Sequence, residues 1–233
     1  MAKPKRVFDW VPRFDPKSRK YPVRRLLSSR KKREDRLWYV PTILDQGSEG
    51  ACVGFGWVAE ALNEPYRVLL EKVKESVPRD NHEFALHVYR EAQFIDEWEG
   101  ESYEGTSVLA GAKVMQRYNL IKQYRWAFDI DDVIDSIVQK GPVVLGVPWH
   151  QGMYKADGGI VRISGAKVGG HCITAVGYKD SSEKMNGEPS VILQNSWGYS
   201  WGIRGLAEIS IPDLEKLLQN GEACVPVVRG WGW

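Results

Sequence analysis

The chain has 233 residues, of which 43% are hydrophobic and 27% are charged, so it has enough apolar surface for a substantial core and is not a mainly disordered protein. Its three cysteines are too few, and odd in number, for a disulfide framework, and no apolar run is long enough to span a membrane. The opening stretch from Met1 to Trp10 lacks the apolar middle and cleavage site of a secretory signal, so we expect a cytoplasmic protein with no membrane partner.

The formal net charge of +2 hides a segregation of charge along the chain. Residues 1–36, the basic arm, carry 14 Lys and Arg against 4 Asp and Glu, whereas residues 37–233 carry 18 against 26. Such an arm is typical of segments that bind nucleic acid or an acidic partner, and equally of segments that lie on an acidic body. Aromatic residues such as Phe8 and Trp10 lie among its prolines, so we expect part of the arm to pack against the globular region at 37–233.

The first part of the globular region is predicted to be mostly helical. Leu37–Gln46 is expected to be an extended lead-in that ends in a turn, because Pro41 disfavours helix. Beyond that turn, apolar residues recur at helical spacing. The predicted helices run from Ala51 to Val73, kinked or divided at Pro65, and over Glu83–Trp98 and Thr106–Tyr118, the last with Thr106 as a candidate cap.

The second half changes character after a short predicted helix at Asp131–Lys140. Its runs are rich in Val and Ile and are separated by glycine, which is typical of strands. The predicted strands are Val143–Val147, Gly159–Ile163, Cys172–Tyr178, Val191–Gln194 and Leu206–Ile211. Helices followed by strands, rather than strict alternation, indicate an α+β protein with a helical lobe at about 45–125, a β lobe at about 126–233 and a cleft between them.

Cys52 lies at the start of the first predicted helix. Unpaired backbone N–H groups and the helix dipole favour a negative charge there, so the pKa of the thiol is expected to be lowered. A cysteine at a helix start is by itself more often a small core residue. Two polar residues in the second half favour a nucleophile instead.

His171 opens the predicted strand Cys172–Tyr178, so its ring can project from a strand end into a cleft. An imidazole there can pair with a thiolate and later donate a proton to a leaving amine. Asn195 follows the strand Val191–Gln194, which places it at a similar level. An amide oxygen that accepts from the imidazole N–H fixes the tautomer and direction of the ring, although a lone Asn at a strand end is ordinarily a turn former.

Several stretches of the sequence resemble the papain-like cysteine peptidase family, and they occur in the family's order. His171 and Asn195 lie 119 and 143 residues after Cys52, a long spacing that is similar to the family's. The matching stretches are Asp45–Cys52, Gly141–Val143, Gly158–Ile160, Gly170–Tyr178 and Asn195–Gly202. The resemblance covers roughly Leu37–Ile209 and implies a papain-like two-lobe fold, with a helical N-terminal lobe, an antiparallel β-rich C-terminal lobe and the active-site cleft between them.

The resemblance also implies a function and roles for individual residues. It implies an endopeptidase that hydrolyses extended peptides through a Cys52 thioester, with no cofactor and no metal. The amide of Gln46 and the backbone N–H of Cys52 would stabilise the oxyanion, and Trp197 would cover the Asn195–His171 hydrogen bond. The turn at Gly105 would present backbone groups to a peptide, and a side-chain pocket beside it would be lined by Gly146, Val147 and Cys172.

Two positions depart from the family's pattern. Glu49 stands where secreted members place a disulfide cysteine, so the core alone must hold this fold. Val53 stands where an aromatic residue usually follows the nucleophile, which makes specificity harder to infer. The basic arm is too short for the family's full pro-segment, and we hypothesise that it covers the cleft of an otherwise unrestrained peptidase.

Three functions remain open from the sequence. The leading one is an endopeptidase, and a close alternative is an acyltransferase or amidase that uses the same nucleophile. The third is a non-catalytic module on the same fold that binds a peptide, or nucleic acid through the basic arm. A metal site is disfavoured, because no Cys or His pair has ligand spacing.

Overall fold

The computed structural model describes residues 6–28, 33–73, 76–96 and 105–228. Its helices are α1 (Cys52–Leu62), α2 (Asn81–Ile95), α3 (Val108–Arg117), α4 (Ile130–Gln139) and α5 (Ile211–Leu218). Its strands are β1 (Arg36–Leu37), β2 (Gln123–Ala127), β3 (Val143–His150), β4 (Ile160–Val161), β5 (Lys167–Lys179), β6 (Ser190–Gln194), β7 (Leu206–Ser210) and β8 (Glu222–Val228). The predicted α+β class is therefore confirmed.

The helix boundaries follow the capping residues. Asp80 caps α2 by accepting the backbone N–H groups of His82 and Glu83, and Ser107 caps α3 by accepting that of Ala110. Ser107, and not Thr106, is therefore the cap that precedes the third helix. The predicted end of α2 at Trp98 lies outside the described residues.

The first helix is shorter than its sequence pattern predicts. It ends at Leu62, because Asn63 adopts extended backbone angles and Pro65 follows with no N–H to continue the helical ladder. Only a short 3-10 helix, Leu70–Lys72, occurs in the remainder of the predicted run up to Val73. At its other end, α1 has no side-chain cap, so its first backbone N–H groups stay available at Cys52.

The strands form one mostly antiparallel sheet in the order β2-β8-β3-β5-β6-β7-β4, with β1 paired to β5. Only the β4–β7 pair is parallel among the strands that the structure describes. All five predicted strands are present, whereas the strands β1, β2 and β8 and the helix α5 were not predicted. The register of β3 against β5 pairs Val147 with His171 and Gly146 with Cys172, so both residues of the second pair point to one face of the sheet.

Two apolar clusters correspond to the two halves of the chain. The first contains α1, α2 and α3 residues, including Phe55 and Phe84, together with Trp10 of the basic arm. The second lies within the sheet and α4, around Trp149 and Ile137. The cleft lies where these two clusters meet, along α1 and β5.

A close contact between α1 and β5 positions the candidate nucleophile. A Cβ atom added to Gly56 would lie 2.7 Å from the Sγ of Cys172, so only glycine allows this approach. The hydroxyl of Thr174 also donates to the carbonyl of Gly56, at 3.0 Å. Cys52 lies one helical turn before Gly56, and His171 precedes Cys172 on β5, so this contact brings the two to the same end of the cleft.

The basic arm lies on the body of the protein. Its arginines pair with acidic residues of the globular region: Arg6 with Asp45, Arg13 with Asp96, Arg19 with Glu222, Arg24 with Asp129 and Asp132, and Arg33 with Asp131 and Asp135. The expected packing of the arm against its own acidic body is therefore observed over its described residues. Across the described ranges, no helix has the length and apolar character needed to cross a bilayer.

Candidate active site

Cys52 is the first residue of α1 and is completely buried. Its surroundings come from two directions: the backbone of Cys172 on β5, and the backbone of Asp9 and Trp10 in the basic arm, which lie close enough to the sulfur to act on its pKa. The helix start therefore holds the thiol as the sequence predicts. The arm lies directly on it.

His171 is held by Asn195. Its Nε2 lies 2.8 Å from the Oδ1 of Asn195, and the same oxygen accepts the backbone N–H of Ser196 at 2.8 Å. Because a backbone N–H only donates, the atom it meets is the amide oxygen, and the imidazole Nε2 must donate to it. The neutral ring then carries its lone pair on Nδ1, the form in which it can take a thiol proton.

Tryptophans enclose the imidazole. The ring of Trp149 lies edge-on at 4.6 Å between centroids, and that of Trp197 lies tilted at 5.0 Å. Both rings are buried, so they exclude water from the hydrogen bond between His171 and Asn195. The predicted covering role of Trp197 agrees with this placement, and Trp149 adds a second ring that the sequence did not indicate.

Gln46 is buried, and hydrogen bonds hold both the nitrogen and the oxygen of its side-chain amide. Its Nε2 donates to the carbonyl of Glu49 at 2.8 Å, and its Oε1 accepts the hydroxyl of Ser196 at 2.7 Å. One N–H of the amide is thus committed to the loop that precedes Cys52. The second N–H is the group that would reach an oxyanion, as predicted for Gln46.

Residues 6–11, the cleft segment of the basic arm, run between the lobes in extended form. Trp10 donates its backbone N–H to the carbonyl of Gly170 at 3.0 Å. Thr106 donates to the carbonyl of Asp9 and accepts from the N–H of Val11, both at 3.0 Å. Main-chain pairing at the predicted turn therefore occurs, but through Thr106, because the N–H of Gly105 donates to the hydroxyl of Tyr89 instead.

Glycines form the walls of the cleft where this segment passes. An added Cβ at Gly50 would lie 1.2 Å from the carboxylate of Asp9, and one at Gly170 would lie 2.4 Å from the carbonyl oxygen of Trp10. Gly105, Gly146 and Gly169 approach the segment in the same way. These positions need the absence of a side chain for an extended peptide to enter.

Of the three residues predicted to line the side-chain pocket, one faces the cleft and two are core residues. Gly146 lies against the indole of Trp10, as expected of a pocket wall. The side chain of Cys172 points instead at Gly56 of α1, and Val147 belongs to the core of the sheet. Strand alternation explains the position of Val147, which faces the opposite side of β3 from Gly146. Cys172 shares the face of Gly146, but its sulfur is directed at α1.

Comparison with known proteins decides the family. Residues 81–220, more than half of the chain, match the family described as papain family cysteine protease. The chain belongs to this family. The matched region includes His171 and Asn195, while Cys52 lies before it.

Papain-family relatives resemble the chain over limited stretches. It is 30% identical over 87 residues to cathepsin B-like protease 1 of Arabidopsis thaliana, covering 37% of this chain and 22% of the relative. It is 32% identical over 95 residues to a gut-specific cysteine proteinase of Caenorhabditis elegans, covering 39% and 28%. The matches thus span about a quarter of the length of these relatives.

Solved structures show the same fold over nearly the whole chain. Xylellain, a cysteine protease from Xylella fastidiosa, has a TM-score of 0.65 and 16% sequence identity, with 98% of this chain and 99% of that one covered. Digestive procathepsin L2 proteinase from Tenebrio molitor has a TM-score of 0.64 and 16% identity, with 96% and 78% covered. These similarities establish the papain-like two-lobe fold.

In this papain-family site, the closed cleft shifts the pKa values of both Cys52 and His171. Burial raises the pKa of Cys52 to about 11, against the lowering effect of backbone hydrogen bonds from Asp9, Cys172 and Trp10. Burial also lowers the pKa of His171 to about 4, although the Asn195 hydrogen bond acts in the other direction. The expected low thiol pKa is therefore wrong for this closed form, because burial under the arm outweighs the helix start.

The imidazole does not pair with the thiol in this arrangement. Its Nδ1 is buried and has no hydrogen-bond partner within the described part of the chain. The cationic Arg6 also disfavours a charged imidazole. Cys52 and His171 are both neutral in the closed cleft, so the reactive thiolate–imidazolium pair is not formed.

Sequence reasoning missed three residues that complete the cleft: Phe8, Trp10 and Glu222. The indole Nε1–H of Trp10 donates to the Oε1 of Glu222 at 3.0 Å, and the ring of Phe8 contacts both His171 and Trp197. The aromatic content of the basic arm indicated that it packs somewhere. No local signal marks Glu222, whose strand was itself not predicted.

Proposed function

We propose that this chain is a cysteine endopeptidase that hydrolyses peptide bonds through a thioester on Cys52. One observation carries the proposal: the imidazole of His171 is fixed by Asn195 through Nε2, with Nδ1 left unpaired, next to a cysteine at an uncapped helix start. Phe8 contacts the imidazole, and Asp9 and Trp10 contact the thiol. Consecutive residues of an extended chain are about 3.3–3.6 Å apart. The imidazole and the thiol therefore contact neighbouring residues of the same short stretch of the arm.

In the proposed reaction, the Cys52 thiolate attacks the scissile carbonyl carbon and forms a C–S bond. The carbonyl oxygen becomes an oxyanion, which accepts from the free N–H of Gln46 and from the backbone N–H of Cys52. The imidazolium of His171 gives its Nδ1 proton to the departing amine, and the C–N bond breaks. His171 then takes a proton from water, whose oxygen attacks the thioester, and the acid and the thiol are released.

We also propose that the cleft segment restrains the peptidase activity. It occupies the path that an extended substrate needs, and it uses the main-chain groups of Thr106 and Gly170 that would pair with that substrate. Arg6 anchors its start, donating to Asp45 at 2.7 Å and to the carbonyl of Trp197 at 3.1 Å. We expect hydrolysis only when this segment leaves the cleft.

Substrates are expected to be extended peptide or unfolded protein segments, as the family implies. Nucleic-acid binding by the basic arm has no support in the comparisons, and Arg6, Arg24 and Arg33 of the arm are paired with carboxylates of the body. A cytoplasmic location stays a prediction. The reaction product distinguishes the two possible acyl acceptors. Hydrolysis by water gives a free acid, whereas transfer to an amine gives a new amide.

The test is made on the full-length chain and on an arm-released variant, Arg6→Ala/Phe8→Ala/Trp10→Ala. A peptide epoxide or vinyl sulfone should modify Cys52 alone in the arm-released variant, and the same variant should hydrolyse fluorogenic peptides. Cys52→Ala and His171→Ala in that background should abolish hydrolysis. Modification at Cys172 or Cys224, or hydrolysis that persists without Cys52, would refute the proposal.

A further inference from the structure

Cys172 is a buried cysteine that the proposed reaction does not use. It follows His171 on β5, and its Sγ lies 2.7 Å from the position that a Cβ atom would take at Gly56 of α1. Cys52 lies one turn before Gly56, and residues four apart occupy the same face of a helix. The side chain of Cys172 therefore faces the helix surface to which Cys52 belongs.

The backbone of Cys172 also lies beside the sulfur of Cys52, close enough to act on the pKa of that thiol. Disulfides join cysteines whose Cα atoms are about 4.4–6.8 Å apart. This is the separation expected when the main chain of one cysteine lies against the sulfur of the other. Rotation of the Cys172 side chain away from Gly56, towards the start of α1, would bring the two sulfurs together.

The third cysteine, Cys224, is placed differently. It pairs with Val144 of β3, whereas Cys172 pairs with Gly146 on the other edge of the same strand. The two cysteines are thus separated by two strand spacings of about 4.8 Å each, roughly 10 Å in total. That separation exceeds the span of a disulfide, so Cys52 is the cysteine within reach of Cys172.

The thiols of Cys52 and Cys172 differ in reactivity. Burial raises the pKa of Cys172 well above its ordinary value, and the charge of Cys52 acts in the same direction. Cys172 therefore stays a thiol. Cys52 becomes a thiolate when the cleft segment leaves, because its sulfur then meets water at the helix start. An oxidant that enters the open cleft reacts first with this thiolate.

We infer that Cys52 and Cys172 form a reversible disulfide when a peroxide reaches the open cleft, with Cys172 as the resolving cysteine. The Cys52 thiolate attacks one oxygen of hydrogen peroxide and the O–O bond breaks, which leaves a sulfenic acid and a hydroxide that takes a proton to become water. The Cys172 sulfur then attacks the sulfenic sulfur and forms the S–S bond. The sulfenic hydroxyl leaves with the Cys172 proton as a second water, and the peroxide has gained the two electrons that the sulfurs lost.

The disulfide would stop hydrolysis and protect the nucleophile at the same time. In the disulfide, Cys52 cannot attack a carbonyl, but a thiol reductant regenerates it, whereas a sulfinic or sulfonic acid is not reduced by a thiol. This inference rests on the proposed function only for the thiolate at Cys52. The disulfide itself is detected without any measurement of hydrolysis.

The first experiment treats the arm-released variant with a small molar excess of hydrogen peroxide and digests it with trypsin without reduction. Trypsin separates the three cysteines, because Lys and Arg residues lie between them. Mass spectrometry should find the peptide of Cys52 joined to that of Cys172, lighter than their sum by two hydrogen atoms. Cys52 that remains a thiol, Cys52 oxidised to a sulfinic or sulfonic acid beside a free Cys172 thiol, or a disulfide that involves Cys224 would overturn the inference.

The second experiment measures the recovery of peptide hydrolysis on reduction with dithiothreitol, relative to the rate of the same variant before peroxide. The arm-released variant should regain at least about 80% of its rate. With Cys172→Ala added it should regain less than about 20%, because the sulfenic acid is oxidised further. Cys224→Ala is the matched control, since it removes another buried cysteine of the same sheet, and should recover like the arm-released variant. Full recovery without Cys172, or lost recovery without Cys224, would overturn the inference.

Failure of the proposed function is distinguishable from failure of this inference. If no peptide is hydrolysed before oxidation, the proposed function fails, and labelling of Cys52 by iodoacetamide after reduction then measures recovery, with the same pattern expected among the variants. If Cys172→Ala fails to fold, Cys172→Ser takes its place, because it keeps the size of the side chain but cannot form a disulfide.

Discussion

The ring of Phe8 meets the imidazole of His171 edge-on, with 5.8 Å between the ring centroids. This contact joins the basic arm to the candidate general acid and base directly. The neighbouring residues Asp9 and Trp10 lie on the thiol in the same way. Removal of a few arm side chains should therefore change the protonation of both groups without any change to the body of the protein.

The first prediction concerns the reactivity of Cys52. In the full-length chain at pH 7, alkylation by iodoacetamide should be slow, because burial raises the pKa of the thiol to about 11. In the arm-released variant, the thiol regains solvent and the favourable helix start, and its alkylation should be faster by on the order of 100-fold. Mass spectrometry of the alkylated peptide identifies the cysteine.

Lys20→Ala is the matched control, because Lys20 is an exposed residue of the same arm outside the cleft segment. It should leave the alkylation rate within about twofold of the parent. A parent chain that reacts as fast as the arm-released variant would mean that the cleft segment does not restrain the thiol.

The second prediction concerns the protonation of His171. Proton NMR of the full-length chain should show this histidine titrating at about 4, well below its ordinary value of 6.5, because burial disfavours the imidazolium. In the arm-released variant its pKa should rise towards 6.5 or above. An unchanged titration in that variant would show that the arm is not the cause of the lowered pKa.

The sign of the linkage follows from this difference. A histidine whose pKa is lowered in the closed form stabilises closure above about pH 6.5, and this contribution is lost as the pH falls towards about 4. Glu222 acts in the opposite direction, because burial raises its pKa to about 7, so its proton favours the closed form below that pH. Glu222→Gln removes the stabilisation of the closed form by the Glu222 proton. In that variant, the alkylation rate of Cys52 should depend more strongly on pH in the acidic range than it does in the parent chain.

The sequence predicted which residues form this candidate site but not that the basic arm closes it. Cys52, His171 and Asn195 could be found because each stands beside a regular element whose local pattern is strong. The strand Glu222–Val228 contains a proline, and Gln123–Ala127 alternates over only five residues, so the local strand pattern of each is weak. The placement of Phe8 and Trp10 could not be predicted, since it depends on glycine walls that only the folded lobes bring together.

The pKa of the Cys52 thiol also depends on a contact that the sequence does not reveal. Its lowering at a helix start is a local effect that a sequence reveals. Its increase comes from burial beneath a segment more than 40 residues earlier in the chain, and that tertiary contact dominates in the closed cleft.

A third prediction tests the orienting role of Asn195. In the arm-released variant, Asn195→Ala should lower kcat/KM by about 10- to 100-fold, because the Nε2–H of His171 loses its acceptor and the ring is free to change tautomer. Asn195→Asp keeps an acceptor oxygen and should recover part of that loss, while it raises the pKa of His171. Full activity in Asn195→Ala would show that packing by Trp149 and Trp197 alone orients the ring.

The last prediction concerns the anchoring of the arm outside the cleft. The Nε of Arg24 donates to the Oδ1 of Asp132 at 2.8 Å, and Asp132 is nearly buried at the start of α4. Arg24→Ala would leave that carboxylate with the backbone N–H of Phe128, 3.1 Å from Oδ2, and without the guanidinium. The free energy of unfolding should fall by about 1–2 kcal/mol, measured by urea denaturation.

Arg25→Ala provides the comparison, because Arg25 is exposed beside Arg24 and carries the same charge. Its effect on the free energy of unfolding should stay within about 0.5 kcal/mol. Equal effects of the two substitutions would assign the stabilisation to net charge rather than to the contact with Asp132. Because Arg24 lies outside the cleft segment, Arg24→Ala should also leave the alkylation rate of Cys52 low, which separates anchoring of the arm from closure of the cleft.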